Sequence, residues 1–593
     1  MTQPRPAPNL VPSKHMPDEA GLPPYREVTV AAMILGIAVG VLLTAAMTYA
    51  GLVIGFVVPA SAIAAILGWG LLRGVLRKGS VVENNINQTV ASAINNTAAG
   101  VIFTFPALFL MEGVTFNPWA IGAAAMAGAA LGALFIIPLR KQMIELERLR
   151  FPSGMAVAEI LRSPGAGMRK SALLGVATLV ALGFSLLTDF GVIPKTVDLG
   201  TPLGLPAYMP FVWALMLLSV GAGFITGRIG LVVLAGGVLA HWVIAPMVVG
   251  LGWIEAPADL PVPDGMTSRA VVEGWLAANI FSQIIRPLGI GLLIGGALAG
   301  VILAAPMIFA AFRSLKAGGV GTGGRDELSV NWMYTGVSLA VVVVCAAAFF
   351  GDPDIGLPRA LLTAIIGVLW MWLAGVIVAQ CAGMTDWSPV SGLALLAVTV
   401  VLIVSGGSVG LAVLIGAAVC VAIAQGADMM ADLRTGHLVG SRPVKQQTMQ
   451  LALAWIGPAI SVLTVYLIWQ TVKFGPENPD IPAPQAATLQ AMIEAVRGGA
   501  VPVDKYAVGA LVGAILTLGT GGGLGVLVGL SMYLPMAFIL PYGLGCVISI
   551  CTEKAVGKTW NRETGIPIAA GLLVGGALAG VVFSIYKLFE TAL

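Results

Sequence analysis

A twelve-residue apolar string occurs twice in this chain, and it constrains the fold more than any other feature. Gly291-Leu-Leu-Ile-Gly-Gly-Ala-Leu-Ala-Gly-Val-Ile302 returns 280 residues later (571 − 291) as Gly571-Leu-Leu-Val-Gly-Gly-Ala-Leu-Ala-Gly-Val-Val582. Only positions 294 and 302 differ from their partners 574 and 582, by Ile against Val. Gly291 and Gly295, and Gly296 and Gly300, stand four apart, as do Gly571 and Gly575, and Gly576 and Gly580. Such spacing lets helix backbones approach closely, so these are packing residues. An apolar string repeated at about half the chain length implies a duplicated membrane module. A pathway between two related halves is a common transporter architecture.

The bilayer is the only solvent that suits this composition. Hydrophobic residues make up 58% of 593, and charged residues 10%, against about 25% in soluble domains. The 76 glycines fit tightly packed membrane helices. A formal charge of +3 excludes nothing. The five cysteines lie in apolar segments without metal-ligand spacing and read as buried thiols. With no HExxH, GxSxG or Walker A pattern, three common enzyme and ATPase chemistries lack sequence support, and neither a resident metal nor a cofactor is expected. Residues 1–27 are Pro-rich and polar, lack a secretory signal, and are expected to form a disordered cytoplasmic tail.

About twenty apolar residues cross a bilayer as a helix. Sixteen candidate spans follow, eight per half: residues 28–49, 52–72, 89–111, 118–138, 171–192, 208–227, 229–253 and 287–312, then 331–350, 359–381, 389–406, 408–426, 450–471, 506–525, 526–550 and 564–588. The expected fold is an all-α polytopic membrane protein of 14–16 spans. Its first repeat covers residues 28–312, a cytoplasmic linker 313–330, and the second repeat 331–593. Even numbers of spans per half predict parallel repeats. The Arg162-Ser-Pro and Ser441-Arg-Pro triplets suggest the same register. With a cytoplasmic N-terminus, basic turns around Arg73, Arg140, Arg162, Arg313 and Arg434 fall inside. One turn resists, since Lys554, Lys558 and Arg562 fall outside. Residues 486–496 read as an amphipathic segment at the outer interface.

Polar groups within lipid are costly and mark function by default. Asn87, Gln88, Ser92, Asn95 and Asn96 crowd one apolar segment, and Gln88, Ser92 and Asn95 share a helical face. Amides offer donors and an acceptor without charge, which suits a peptide-like substrate. The competing reading is interhelical bonding alone. Pro152-Ser-Gly opens a short apolar segment that carries Glu159. Its amides could face an anion, or it could be a loop helix. Asp428 and Asp432 share a face near the cytoplasmic mouth, where proton coupling or an ion-paired helix end would use them, with Arg434 nearby. Gln283 and Arg286 precede the first string, but Glu563 and Ile566 precede the second, so polar residues are not duplicated with the scaffold. Tyr533 and Asp386 lie in Gly- and Pro-rich breaks expected to line a cavity or be buried. His241 is a lone intramembrane histidine, structural or a proton relay.

Asn87-Gln88-Thr89 with Ala91-Ser92-Ala93, Phe151-Pro152-Ser153-Gly154-Met155-Ala156, and Asp432-Leu-Arg-Thr-Gly436-His-Leu-Val-Gly440 together resemble the oligopeptide transporter family, which includes the yellow stripe-like transporters. Ser531-Met-Tyr-Leu-Pro535 is similar to that family's Gly-x-x-Tyr-Leu-Pro element, with Gly529 displaced. The resemblance runs from about residue 28 onward. It implies a secondary symporter, driven by protons, that imports small peptides or peptide-like metal chelates. It implies a multi-pass protein of the inner (plasma) membrane, not an enzyme and without a nucleic-acid partner. It leaves a homo-oligomer open. A passive channel and a membrane-embedded enzyme are the competing classes.

Overall fold

The computed structural model describes residues 26–592, except 56, 58–59, 78, 163, 258–259, 261–266, 304–305, 307–326, 353–354, 386–389, 499–501 and 521–522. The expected tail up to residue 25, most of the linker, and Asp386 lie outside the described residues.

The first half builds α1 (Val30–Ile54), α2 (Ala60–Val75), α3 (Val81–Leu110) and α4 (Pro118–Leu139). The short α5 (Pro152–Leu161) and the spanning α6 (Pro164–Asp189) follow. A hairpin of β1 (Thr196–Asp198) and β2 (Val212–Ala214) leads into α7 (Leu217–Gly250) and α8 (Ser268–Gly300). The second half has α9 (Val330–Gly351), α10 (Leu357–Thr385), α11 (Val390–Val404), α12 (Val409–Val439) and α13 (Pro443–Thr471). After them come α14 (Pro484–Val496), α15 (Val503–Thr520), α16 (Leu524–Tyr533), α17 (Met536–Ala555) and α18 (Lys558–Lys587). Among the described residues, thirteen helices are long and apolar enough to cross a bilayer, and α2, the 392–404 part of α11, and α16 are shorter apolar helices. The all-α polytopic fold expected from the sequence is what forms.

Several elements depart from the expected spans. Residues 208–216 hold strand β2 and its flanks rather than helix. Helix α7 breaks at Gly227, whose φ of 55° and ψ of −126° leave the helical region. The run 526–550 is divided by Leu534 and Pro535, both extended, so α16 and α17 are separate helices. Helix α14 does not float at the interface: Ala486, Leu489 and Ile493 are each 1% exposed, so it folds back into the protein.

Charge pairing sorts the helix ends onto two faces. Lys170, at the start of α6, pairs with Glu563, near the start of α18, at 2.8 Å. Phe190, just past α6, packs edge-on against Phe583, near the end of α18, at 5.5 Å. Helices α6 and α18 therefore run the same way. Helix α8 runs oppositely. It begins beside the hairpin connection, where Ala207 N–H donates to Glu273 at 3.2 Å. Beyond its end the chain returns at Glu327, which pairs with Arg140 at 2.6 Å. The twin strings, one on α8 and one on α18, thus cross the bilayer antiparallel. The expected parallel repeats are corrected to inverted ones. The same pairing moves the Lys554–Arg562 turn onto the face of Lys170, so the one turn that resisted the positive-inside pattern joins the other basic turns.

Local geometry repeats with this inversion. Phe151 and Ala483 both adopt left-handed backbone, at φ 45° and 46°, and each precedes a proline that opens a short helix, α5 or α14. Phe151 N–H donates to the Gly383 carbonyl at 3.1 Å, and Ala483 N–H to the Leu52 carbonyl at 2.9 Å. The two intervals match (483 − 151 = 332; 383 − 52 = 331). Wide π-turns precede both strings, at Phe281–Ile285 and Asn561–Gly565. Each string packs on the other half's counterpart helix. A β-carbon at Gly295 would lie 1.9 Å from the Ala510 carbonyl of α15, and one at Gly575 would lie 2.2 Å from the Thr178 carbonyl of α6. The Arg162 and Ser441 triplets belong to different junctions, α5–α6 and α12–α13, so their likeness carries no register.

Candidate functional site

Helix α12 is the axis of the site. Its most apolar stretch is 94% buried, so it meets protein on every side rather than lipid. Gly128 and Gly132 of α4 bring that helix against the Ala418 and Ala422 carbonyls, and Gly100 of α3 lies against Val421. Helix α3 starts with a capping box: Ser80 accepts from Glu83 N–H at 3.2 Å, and the Glu83 carboxylate accepts from Ser80 N–H at 2.8 Å. That cap fixes where α3 begins, and so the depth at which its amides sit.

Asp432, 2% exposed, is the centre. Gln88 Nε2 donates to its Oδ1, and Gln450 Nε2 donates to Oδ2 at 2.9 Å. Gln446 Nε2 donates to the Asp432 backbone carbonyl and to Thr89 Oγ1, each at 2.9 Å. Gln425 Nε2 donates to Gln450 Oε1 at 3.2 Å. The hydroxyls of Ser61 and Ser92, 2.8 Å apart, also lie within reach of Asp432. Helices α2, α3, α12 and α13 all contribute. Among the described residues, no ion pair reaches Asp432, and Arg434 does not neutralise it. A carboxylate buried in this way needs a proton or a cation for balance.

The hydrogen-bond ledger is lopsided. A carboxylate only accepts, so the amide nitrogens of Gln88 and Gln450 must face it. The side-chain oxygens of Asn85, Asn87, Gln88, Asn95, Gln425 and Gln446 then receive no donor from the protein. Asn95, fully buried, has neither its oxygen nor its nitrogen paired. Each such group costs about 1–3 kcal/mol when buried unmet.

The other sequence candidates divide. Gln88, Ser92 and Asp432 come together. Asn96 donates to Ser92 Oγ at 2.7 Å and supports them. Asn87 Nδ2 is spent on α2, donating to the Ala64 carbonyl at 3.2 Å and to Asn84 Oδ1 at 3.1 Å. Asp428, half-buried, lies one turn from Asp432. Glu159 is exposed on α5 and touches none of this group. Gln283 is also exposed, donating to Asn279 Oδ1 at 2.9 Å. Arg286 lies near Tyr506 and Tyr533 toward the opposite face, and the buried Tyr533 hydroxyl donates to the Pro482 carbonyl at 3.1 Å. His241 sits in a π-turn with Nε2 3.4 Å from the Leu534 carbonyl, at the α16–α17 break. Sequence reasoning missed Gln446 and Gln450. Their signal is a glutamine pair four apart in Gln446-Gln-Thr-Met-Gln450, leading into an apolar helix.

The OPT oligopeptide transporter family matches residues 27–587. This chain belongs to that family. It is 26% identical to a putative oligopeptide transporter of Haemophilus influenzae, over 90% of this chain and 92% of that protein. It is 25% identical to the metal-nicotianamine transporter YSL3 of Arabidopsis thaliana, over 95% of this chain and 91% of that one. A putative oligopeptide transporter of Saccharomyces cerevisiae matches a shorter stretch at 33% identity, covering 23% of this chain and 22% of that protein. Membership and the thirteen long apolar helices make this a multi-pass membrane protein of a transporter family.

Proposed function

We propose that the chain is a proton-coupled symporter that imports small peptides or peptide-like metal chelates across the inner (plasma) membrane. Its basic face, with Arg140, Lys170 and the Lys554–Arg562 turn, is cytoplasmic in this reading. The relatives' names supply the two substrate classes. One observation carries the coupling: Asp432 is buried among neutral amides with no ion-pair partner among the described residues. A proton on its carboxyl removes the charge, and losing that proton restores it. Asp428 lies one turn away on the same helix. Gln88 and Asn95 present amide groups along the same file and would meet polar groups of the cargo. Arg286 and Tyr533 would act at the other mouth, and His241 near the broken helices.

The inverted repeat supports a carrier over a channel, because inverted halves can exchange conformations to open one face and then the other. Reconstituted protein should accumulate labelled di- to hexapeptides or metal–nicotianamine chelates under an imposed proton gradient. Asp432→Asn should lose that dependence and keep counterflow exchange. Uptake indifferent to the gradient would refute the coupling, and absence of counterflow would favour a channel.

A further inference from the structure

We propose that a cavity on the face opposite Lys170 receives the primary ammonium group of the cargo, held between Asp189 and Asp480. The proposal deepens the transport reading and rests on it for the outward direction of this face. The cavity has a volume of about 60 Å³ and lies beside the β1–β2 hairpin. About 10–15 Å³ suffices for one water, so a –CH₂–NH₃⁺ head fits. Both halves build it: Tyr49 and Asp189 come from the first, and Asp480, Phe538 and Gly576 from the second. The second glycine string forms part of the wall, since Gly576 lines the cavity and the Tyr49 ring sits against Gly580. Phe538 is shared with a deeper apolar cavity that reaches Leu534, at the α16–α17 break.

The charges that line this cavity are unequal. Two carboxylates face one ammonium, that of Lys195, which lies 2.8 Å from Asp480 and 3.8 Å from Asp189. The shorter contact is a hydrogen bond and the longer one is not. Among the described residues, no group donates to Asp189, although its side chain is only 18% exposed. A carboxylate this sheltered is costly without donors. An –NH₃⁺ group carries three donors, enough for both carboxylates and a hydroxyl oxygen of Thr188 or Tyr49, which line the same space. Lys195 shows that an ammonium suits the site, but it reaches in from the residue before β1, and its side chain is 45% exposed. It satisfies one carboxylate and leaves the other short. An incoming ammonium would bond Asp189 and compete with Lys195 for Asp480.

The test is the thermal unfolding midpoint of the purified full-length protein in detergent, at about pH 6.5, where an α-amino group is charged. Trialanine amide and N-acetyl-trialanine amide, which differ in that one ammonium group, are each titrated at constant ionic strength. Binding to the folded state raises the midpoint with occupancy. The expected result is a saturable rise with the free amine, at a half-saturating concentration about tenfold or more below that of the acetylated peptide. Asp189→Asn should raise the half-saturating concentration of the free amine about tenfold. Lys195→Met removes the competing ammonium and should lower it about threefold, the worth of an exposed ion pair. Equal responses to the two peptides, or no response to either, overturn the proposal, as does an Asp189→Asn curve that matches the parent. A half-saturating concentration unmoved or raised in Lys195→Met overturns it too, and this arm decides the matter if Asp189→Asn does not fold. Failure of the transport reading looks different: the free amine then raises the midpoint, with these variant effects, but is not accumulated by proteoliposomes.

Discussion

At the scale of single residues, two amides on one helix are bound differently, and their substitutions should separate. Gln88 donates to a buried carboxylate, so Gln88→Leu leaves Asp432 short of a donor. It should cost about 1.5–3 kcal/mol in stability, read as a lowered unfolding midpoint. Asn95 has no partner to lose. Asn95→Leu keeps the branched shape, at a somewhat larger volume, and removes two unmet polar atoms, so its midpoint should hold or rise. If that variant folds and yet fails in uptake, Asn95 acts on the cargo. If it transports normally, it is filler. The amide stripe of α3 was legible because amides are rare in apolar segments. The contribution of α13 was not, because Gln446, Gln447 and Gln450 precede its most apolar part and read as a polar turn.

At the scale of elements, the glycines of the twin strings should be intolerant where they touch backbone. Gly295→Val places carbon where the Ala510 carbonyl already sits. Overpacking of this kind costs about 1–3 kcal/mol, and the folded yield should fall with the midpoint. Gly175→Ala on α6 meets nothing within 4 Å and should be neutral or slightly stabilising, as a helical Gly→Ala usually is. Apolar runs revealed the long helices because twenty residues are needed to span. The Gly- and Pro-rich break around Tyr533 announces the discontinuity that separates α16 from α17, but a span count still takes 526–550 as one crossing, because the ten residues of α16 reach only about 15 Å. Counting one crossing there changes the parity, and with it the sidedness of everything after Pro535. The basic Lys554–Arg562 turn is the sequence signal that the parity is off. Helix α14 misled for another reason: its alanines are interfacial by composition but buried by packing.

At the scale of the whole molecule, the inversion can be read by labelling. In a background lacking the native cysteines, cysteines at positions 168 and 556 should react with a membrane-impermeant maleimide from the same side. A cysteine at position 195 should react from the other. Labelling of 556 together with 195 would restore the parallel arrangement. The two halves are also interlaced. Phe151 needs the Gly383 carbonyl, Ala483 needs that of Leu52, and each glycine string lies against a helix of the opposite half. This has a consequence for synthesis. Helix α5 cannot settle until residue 383 has left the ribosome, and α8 must wait for α15. The first half is therefore inserted long before it can be packed, and its close-contact glycines face lipid or a chaperone in the interval. Expressed alone, it should be degraded. Co-expressed as two fragments divided between residues 307 and 326, the halves should rescue one another.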